Sequence, residues 1–149
     1  MSGALTHSPS QIVQKLLVDL SLGTLASAGG SWPITCGEEP DEKTGRGSQM
    51  FVRTTEGLIQ GRSSIDGYVF EKCGIQIMIR DTRYEDGRTK AKDVQVALDA
   101  VVLRSIVISS STYVVTGFHR NGSVIEIGRE VGTNRHLFSI NGYLPVREN

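Results

Sequence analysis

The sequence is short of the residues that build metal or redox chemistry. It has two cysteines, Cys36 and Cys73, and three histidines, His7, His119 and His136, none at the close, regular spacing a metal site needs. Both thiols are expected to be reduced, in a cytoplasmic protein. Net charge is absent too: 16 Lys and Arg offset 16 Asp and Glu. Zero formal charge gives no global pull toward nucleic acid or an anionic membrane, although a local patch stays open. No window approaches the roughly 18 apolar residues of a membrane helix. Met1-Ser-Gly-Ala-Leu-Thr-His7 has neither a basic n-region nor an apolar h-region, so no secretion signal is expected. A Gly-rich phosphate loop after a strand and a nucleophile elbow are both missing.

What the chain does have is 17 Gly spread without repeat through 149 residues, which fits the many turns of one α+β domain large enough to bury a core. The organising stretch is residues 73–81. Cys73, Ile75, Ile77 and Ile79 alternate with Gly74, Gln76, Met78 and Arg80, the period of a strand with one face on the core. Thr82-Arg83-Tyr84-Glu85 then matches a capping box, predicting a helix start. Apolar residues at Tyr84, Ala91, Val94, Leu98 and Val101 or Val102 form one stripe of that helix. Gly87 fills a gap in the stripe, where it implies close approach to the sheet. The charged residues Arg83, Arg88, Lys90, Lys92, Asp93 and Asp99 read as the solvated side.

Upstream, Ser8-Pro9-Ser10-Gln11 is a second capping box with Pro at the first helical position, followed by Ile12, Val13, Leu16, Leu17 and Leu20. It predicts an amphipathic helix of about four turns ending near Gly23. Trp32-Pro-Ile-Thr-Cys36 reads as an edge strand, and Gln49-Met-Phe-Val-Arg-Thr-Thr55 as another, closed by a Glu56-Gly57 turn. Leu58-Ile-Gln-Gly61 is expected to return. Residues 104–108 read as a short extended run and Ser109-Ser-Ser-Thr112 as a loop. Asn121-Gly122 between two alternating runs predicts a hairpin with a type I′ turn, in which Phe118 faces Ile125, Thr116 faces Ile127, and His119 pairs with Val124. Residues 135–141 make the last strand, and Gly142-Tyr-Leu-Pro-Val-Arg-Glu-Asn149 a tail. The expected fold is α+β: a mixed, mainly antiparallel sheet with two amphipathic helices packed on one face and a C-terminal β-hairpin. It forms a single domain over 1–149 with a long flexible loop at about 37–48.

Few residues invite catalysis. Asp66 with Glu71 and Lys72 has the flavour of a Mg²⁺-dependent nuclease, which needs carboxylates to hold its ion. Glu71 and Lys72 are adjacent, so a strand sends their side chains to opposite faces. Asp81 at the strand-to-helix junction reads first as a helix cap, and His119 as a surface residue. No polar cluster drawn from separate segments can be assembled, so no enzyme, cofactor or metal is expected.

Several segments together carry a resemblance: Gly74-Ile-Gln-Ile-Met-Ile-Arg80; Tyr84 followed by Lys90-Ala91 and Ala97-Leu98-Asp99; Tyr113-Val-Val; Ile127-Gly128; and His136-Leu-Phe-Ser-Ile-Asn141. Over roughly residues 51–141 the chain resembles the tail terminators, or minor capsid proteins, of long-tailed bacteriophages. The resemblance implies a small domain that assembles as a six-fold ring. Such a ring ends tail-tube growth, caps the tube and presents the head-joining surface. Its partners would be further copies of itself, the tail-tube protein and a head-closure or connector protein, with DNA passing through the lumen without specific binding and no membrane contact. On this basis Phe118, Arg120, Asn121, Arg135 and Tyr143 become candidates for intersubunit contact. Glu38, Glu39, Asp41 and Glu42 become candidates for a lumen-facing acidic loop that repels DNA. A virion location follows, with assembly in the host cytoplasm. Another neck protein, for tail completion or head closure, is the alternative, and the nuclease a distant one.

Overall fold

The structure, a computed structural model, describes residues 5–25, 30–37, 47–62, 69–129 and 134–149, with backbone alone for 56–62 and 69–71. It is α+β, with two helices and one mixed sheet. Helix α1 is Pro9–Asp19. Its start is the expected box: Ser8 Oγ accepts from the Gln11 amide, and Gln11 Oε1 accepts from the Ser8 amide. Ile12, Val13, Leu16 and Leu17 are fully buried, each contributing about 2 kcal/mol by leaving water. The helix is shorter than expected. Ser21, at φ 61, supplies the left-handed residue, and the Leu22 amide reaches back to the Leu17 carbonyl. This is a Schellman ending, sealed by two buried leucines, so Gly23 is not needed to stop the helix.

The strands are β1 (Thr24–Leu25), β2 (Pro33–Cys36), β3 (Gln49–Arg62), β4 (Val69–Asp81), β5 (Arg104–Ile108), β6 (Ser111–Val115), β7 (His119–Arg120), β8 (Ile125–Arg129) and β9 (His136–Glu148), with helix α2 (Tyr84–Asp99) between β4 and β5. Their order across the sheet is β1-β2-β3-β4-β9-β6-β5, with β7 and β8 also laid along β9. β1 with β2, and β2 with β3, run parallel; the remaining pairs run antiparallel. The run through residues 73–81 is indeed the centre. It pairs with β3 on one side and with β9 on the other, from Glu71↔Val146 to Asp81↔His136. Ile75, Ile77, Ile79, Phe138, Ile140, Met50 and Val52 join the buried residues of both helices in one cluster. The opposite side of the strand is buried at one end as well, through Gln49, Phe51, Met78 and Arg80.

Four local expectations are corrected. At the start of α2 the N-cap is Arg83 without a side-chain bond, not Thr82. Asp81 is better placed: its Oδ1 accepts the Arg83 amide at 2.8 Å, and its Oδ2 accepts Ser48 Oγ at 2.5 Å. Asp81 therefore does the capping, as an Asx-type turn. Glu56-Gly57 is not a turn but part of a register shift inside β3, which continues along the same partner with Leu58↔Lys72 and Ile59↔Glu71. Ser109-Ser110 is the two-residue connection of a β5–β6 hairpin, with Ser109 at φ 53. Residues 142–149 are no tail, because β9 runs through to Glu148.

The Asn121-Gly122 hairpin does not form either. His119 and Arg120 pair with Tyr143 and Gly142, while Ile125 pairs with Ser139, so both flanks dock along β9 and not on each other. Neither Asn121 nor Gly122 has positive φ. A ladder on a buried 13-residue strand outweighs the local turn preference. Phe118 is accordingly buried, while Ile125 and Ile127 are half exposed.

Two glycines allow this packing. A Cβ on Gly87 would fall 2.7 Å from Phe138 Cε2, and one on Gly142 would fall 2.4 Å from the His119 carbonyl oxygen. Gly87→Ala should therefore destabilise the protein by about 1–3 kcal/mol, although alanine favours an exposed helix by about 1 kcal/mol. Gly142→Ala should cost more, because backbone and not a side-chain tip must move. Urea denaturation of both variants checks the sign and the order.

Candidate functional site

The described surface offers two exposed apolar patches at different places on the sheet. The first is β8. Every residue of Ile125–Arg129 is exposed, and among the described residues the strand pairs only with β9, so its outer edge has no ladder. Ile125 and Ile127 are 52% and 51% exposed. The strand is held from the helix side, where Tyr84 Oη donates to Glu126 Oε1 at 2.7 Å and Arg88 Nε lies 4.0 Å from the same oxygen. Accepting that bond, the Glu126 carboxylate holds the Tyr84 phenol above its ordinary value. A register shift between Glu126 and Gly128, the latter at φ 115, turns the edge. Between β8 and α2 runs a groove walled by Arg88, Lys92 and Gln95, with Ala91, Val124 and Phe138 beneath.

The second patch lies at the α2–β5 corner. Val102 is 78% and Leu103 70% exposed, and Val107, further along the last strand of the sheet order, is 52% exposed. Leu103, at φ 44, carries the chain through this corner, and its amide donates to the Thr116 carbonyl. The helix stripe ends at Val101, which is buried, so the next two apolar residues have no core to enter.

The residues singled out in the sequence fall differently. Arg120 makes a two-pronged pair with Asp99, at 2.8 and 3.0 Å, and donates to the Gly122 carbonyl. It thereby ties β7 to the end of α2, and the carboxylate raises the guanidinium further. Asn121 is exposed, with its amide donating to the Asn141 carbonyl. Tyr143 is half-buried opposite His119. Phe118 and Arg135 are buried within the chain, Arg135 donating to Gln49 Oε1 at 2.7 Å. These two are placed for internal packing and are covered by their own chain. Glu38, Glu39, Asp41, Glu42 and Asp66 lie outside the described residues. What the sequence reading missed is the pair of apolar patches. Ile125 and Ile127 were read, with Phe118, as a cross-strand apolar patch of the hairpin, and the run Val101-Val102-Leu103 was the available signal for the corner.

Among the described residues no group of three or more His, Cys, Asp and Glu side chains could hold a metal ion, and no helix is long and apolar enough to cross a membrane. Cys36 and Cys73 are free thiols; burial pushes Cys36 up, and its Sγ lies 3.4 Å from Gln14 Oε1. Lys90 sits over the Trp32 ring, 5.1 Å from its centroid, and burial lowers its pKa. A separate polar cluster joins the two ends of the described chain. Glu148 accepts the Thr6 amide at 2.8 Å and the Thr6 hydroxyl at 2.9 Å, while Tyr113 Oη accepts the His7 amide and lies 2.6 Å from His7 Nδ1. Burial pushes the Tyr113 phenol up. No protein-family model matches the chain, and no curated protein matches it.

The Thr6 amide, then the Thr6 hydroxyl, hold the Glu148 carboxyl below its usual range. A carboxyl depressed on folding contributes stability that is present above its unfolded value of about 4.3 and lost as pH falls through its folded value. Wild type should thus exceed Glu148→Gln in stability at neutral pH, with the gap closing in acid below about pH 4. Denaturant midpoints of the two proteins across that range measure the gap.

Proposed function

We propose that this chain is an architectural subunit, a tail-terminator-like protein of a long-tailed phage. It closes into a six-fold ring on the end of the tail tube and there offers the head-joining surface. The reading takes the sheet as mainly antiparallel with both helices on one face, so that contacts between copies fall to the strand edges and corners. The observation that carries it is the pair of unlike apolar patches, Ile125 with Ile127 on the open edge of β8, and Val102 with Leu103 at the α2–β5 corner. A surface that meets a different surface on the next copy makes a head-to-tail contact, and such contacts generate rings when the rotation closes. Open strand edges with exposed isoleucines invite pairing unless something covers them, and a neighbouring subunit supplies that cover. The work is geometric, and no substrate turns over. The sequence likeness over residues 51–141 supplies the identity of the tube and head as partners.

Mixing experiments separate this from a two-fold dimer. Ile125→Asp with Ile127→Asp spoils one surface, and Val102→Asp with Leu103→Asp spoils the other. Each variant alone should stay monomeric and leave tail tubes uncapped and uncontrolled in length. Their mixture should stop at a dimer joined through the one intact interface, while wild type forms rings at tube ends by light scattering and electron microscopy. Wild type that neither self-associates nor binds tubes at any concentration would end the proposal.

A further inference from the structure

Helix α2 carries a second stripe beside its buried one. Asp86, Thr89, Lys90 and Asp93 recur at spacings of three and four, so they share one line along the helix. With Trp32 at the entry to β2, and with Ser48 and Asp81, they line a hollow of about 290 Å³. It lies at the small end of the roughly 300–1,000 Å³ range of ligand pockets, which suits a single six-membered ring.

Trp32 stands at φ 51, in the left-handed region that a bulky residue rarely adopts. The conformation is fixed from β1: the Thr24 amide donates to the Trp32 carbonyl at 3.2 Å, and Thr24 Oγ1 donates to the Ser31 carbonyl at 3.2 Å. Gly23 leaves room for it, since a Cβ there would fall 2.5 Å from the Trp32 carbonyl oxygen. A half-buried indole thus lines the hollow at a cost in backbone strain, as residues at ligand sites often do.

The charges around the hollow answer one another. Lys90 Nζ lies 5.1 Å from the indole centroid; burial lowers its pKa, and the nearby Asp93 carboxylate offsets part of that. Asp86 has Arg83 Nε at 3.7 Å. Asp81, almost wholly buried, accepts the Ser48 hydroxyl and the Arg83 amide, so Ser48 Oγ keeps its lone pairs for an acceptor role. A cationic ligand would find the place over the indole already taken by Lys90. An anionic one would meet the exposed carboxylates of Asp86 and Asp93. The groups on offer are mixed: the Lys90 ammonium and Thr89 hydroxyl donate, Asp86, Asp93 and Ser48 Oγ accept, and the indole is an apolar wall.

We propose that this hollow binds one neutral pyranose. Each sugar hydroxyl both donates and accepts, so neighbouring hydroxyls can bridge a carboxylate and an ammonium, while the C–H face of the sugar lies against aromatic carbon. The inference is independent of the tail-terminator reading, because one subunit holds every residue it uses.

The test uses the full chain, whose one tryptophan is Trp32, so intrinsic fluorescence reads the site directly. Methyl glucoside, galactoside, mannoside and N-acetylglucosaminide are titrated in turn. At least one should change the emission saturably, with a Kd of about 1–10 mM for so few contacts. Asp93→Ala should weaken that sugar about tenfold by removing a charged acceptor, and Lys15→Gln on α1 should leave its Kd unchanged. Lys90→Ala alters the indole's surroundings by itself, so its loss of binding is read from saturation transfer to the sugar's own proton resonances. In unaltered protein, amide shift changes should centre on residues 32, 48 and 86–93, which keeps the test valid if a variant does not fold. A linear response to all four glycosides, shift changes confined elsewhere, an unaltered Kd in Asp93→Ala, or tighter binding of spermidine or glucuronate than of the neutral sugars would overturn it.

Discussion

The pairing of β4 with β9 is the constraint the rest of the molecule obeys. It runs unbroken from Glu71↔Val146 to Asp81↔His136, and it stacks Ile79 beside Phe138 and Ile77 beside Ile140 in the same cluster as the buried faces of α1 and α2. Because the side-chain period is two, a slip of one residue would send that whole apolar row to the polar side. The register is therefore fixed by burial and not by any turn. The partners are far apart in the chain, so closing the loop between them costs entropy before any contact offsets it. That cost explains why so much of the core converges on these two strands.

Everything beyond β9 follows from its length. One side of the strand is filled by β4; the other is divided among β8, β7 and β6, each too short to fill it alone. Pro145 fits the arrangement. Its carbonyl accepts the Thr116 amide on the β6 side, where β6 has already ended at Val115, so the missing proline N–H forfeits no ladder bond. Three short strands along one long one leave loose ends, and these are where apolar side chains reach water: Ile125 and Ile127 on β8, Val102 and Leu103 ahead of β5. The exposed patches thus arise from the same topology that completes the core.

The legible part of the sequence was the part governed by local chemistry and clean periodicity. Ser8 through Leu17 announced a capped helix, Cys73 through Ile79 a core strand, and Gly87 a close approach, and each is found. The errors arose where a local signal met a stronger distant partner. Asn121-Gly122 has the chemistry of a tight hairpin, yet both flanks gain more from β9. Thr82 has the right spacing to Glu85, yet Asp81 reaches the free Arg83 amide directly. Residues 142–149 read as a tail, although the alternation of Phe138, Ile140, Leu144 and Val146 passes straight through Gly142 and Pro145. Two of the candidate contact residues, Phe118 and Arg135, are buried by tertiary packing. Exposure was the least legible property, since Ile125 and Val102 carry no mark in the sequence that separates them from Ile140 and Val101.

Charge shows why composition alone misleads in a sheet protein. The equal totals of acidic and basic residues suggest a surface with no preference, but alternation along strands sorts side chains between two environments that sequence counts merge. Among the described residues four carboxylates do structural work: Asp81 at the start of α2, Asp99 against Arg120, Glu126 under Tyr84, Glu148 on the Thr6 amide. Each of these contacts lies on the helix-bearing side, where loose backbone groups and helix ends need acceptors. The far side is buried at one end, through Gln49, Phe51, Met78 and Arg80, and carries the exposed Arg53 further along. Among the described residues, the places these four carboxylates take follow from the backbone groups and cations that need acceptors there, and not from how many acidic residues the chain carries.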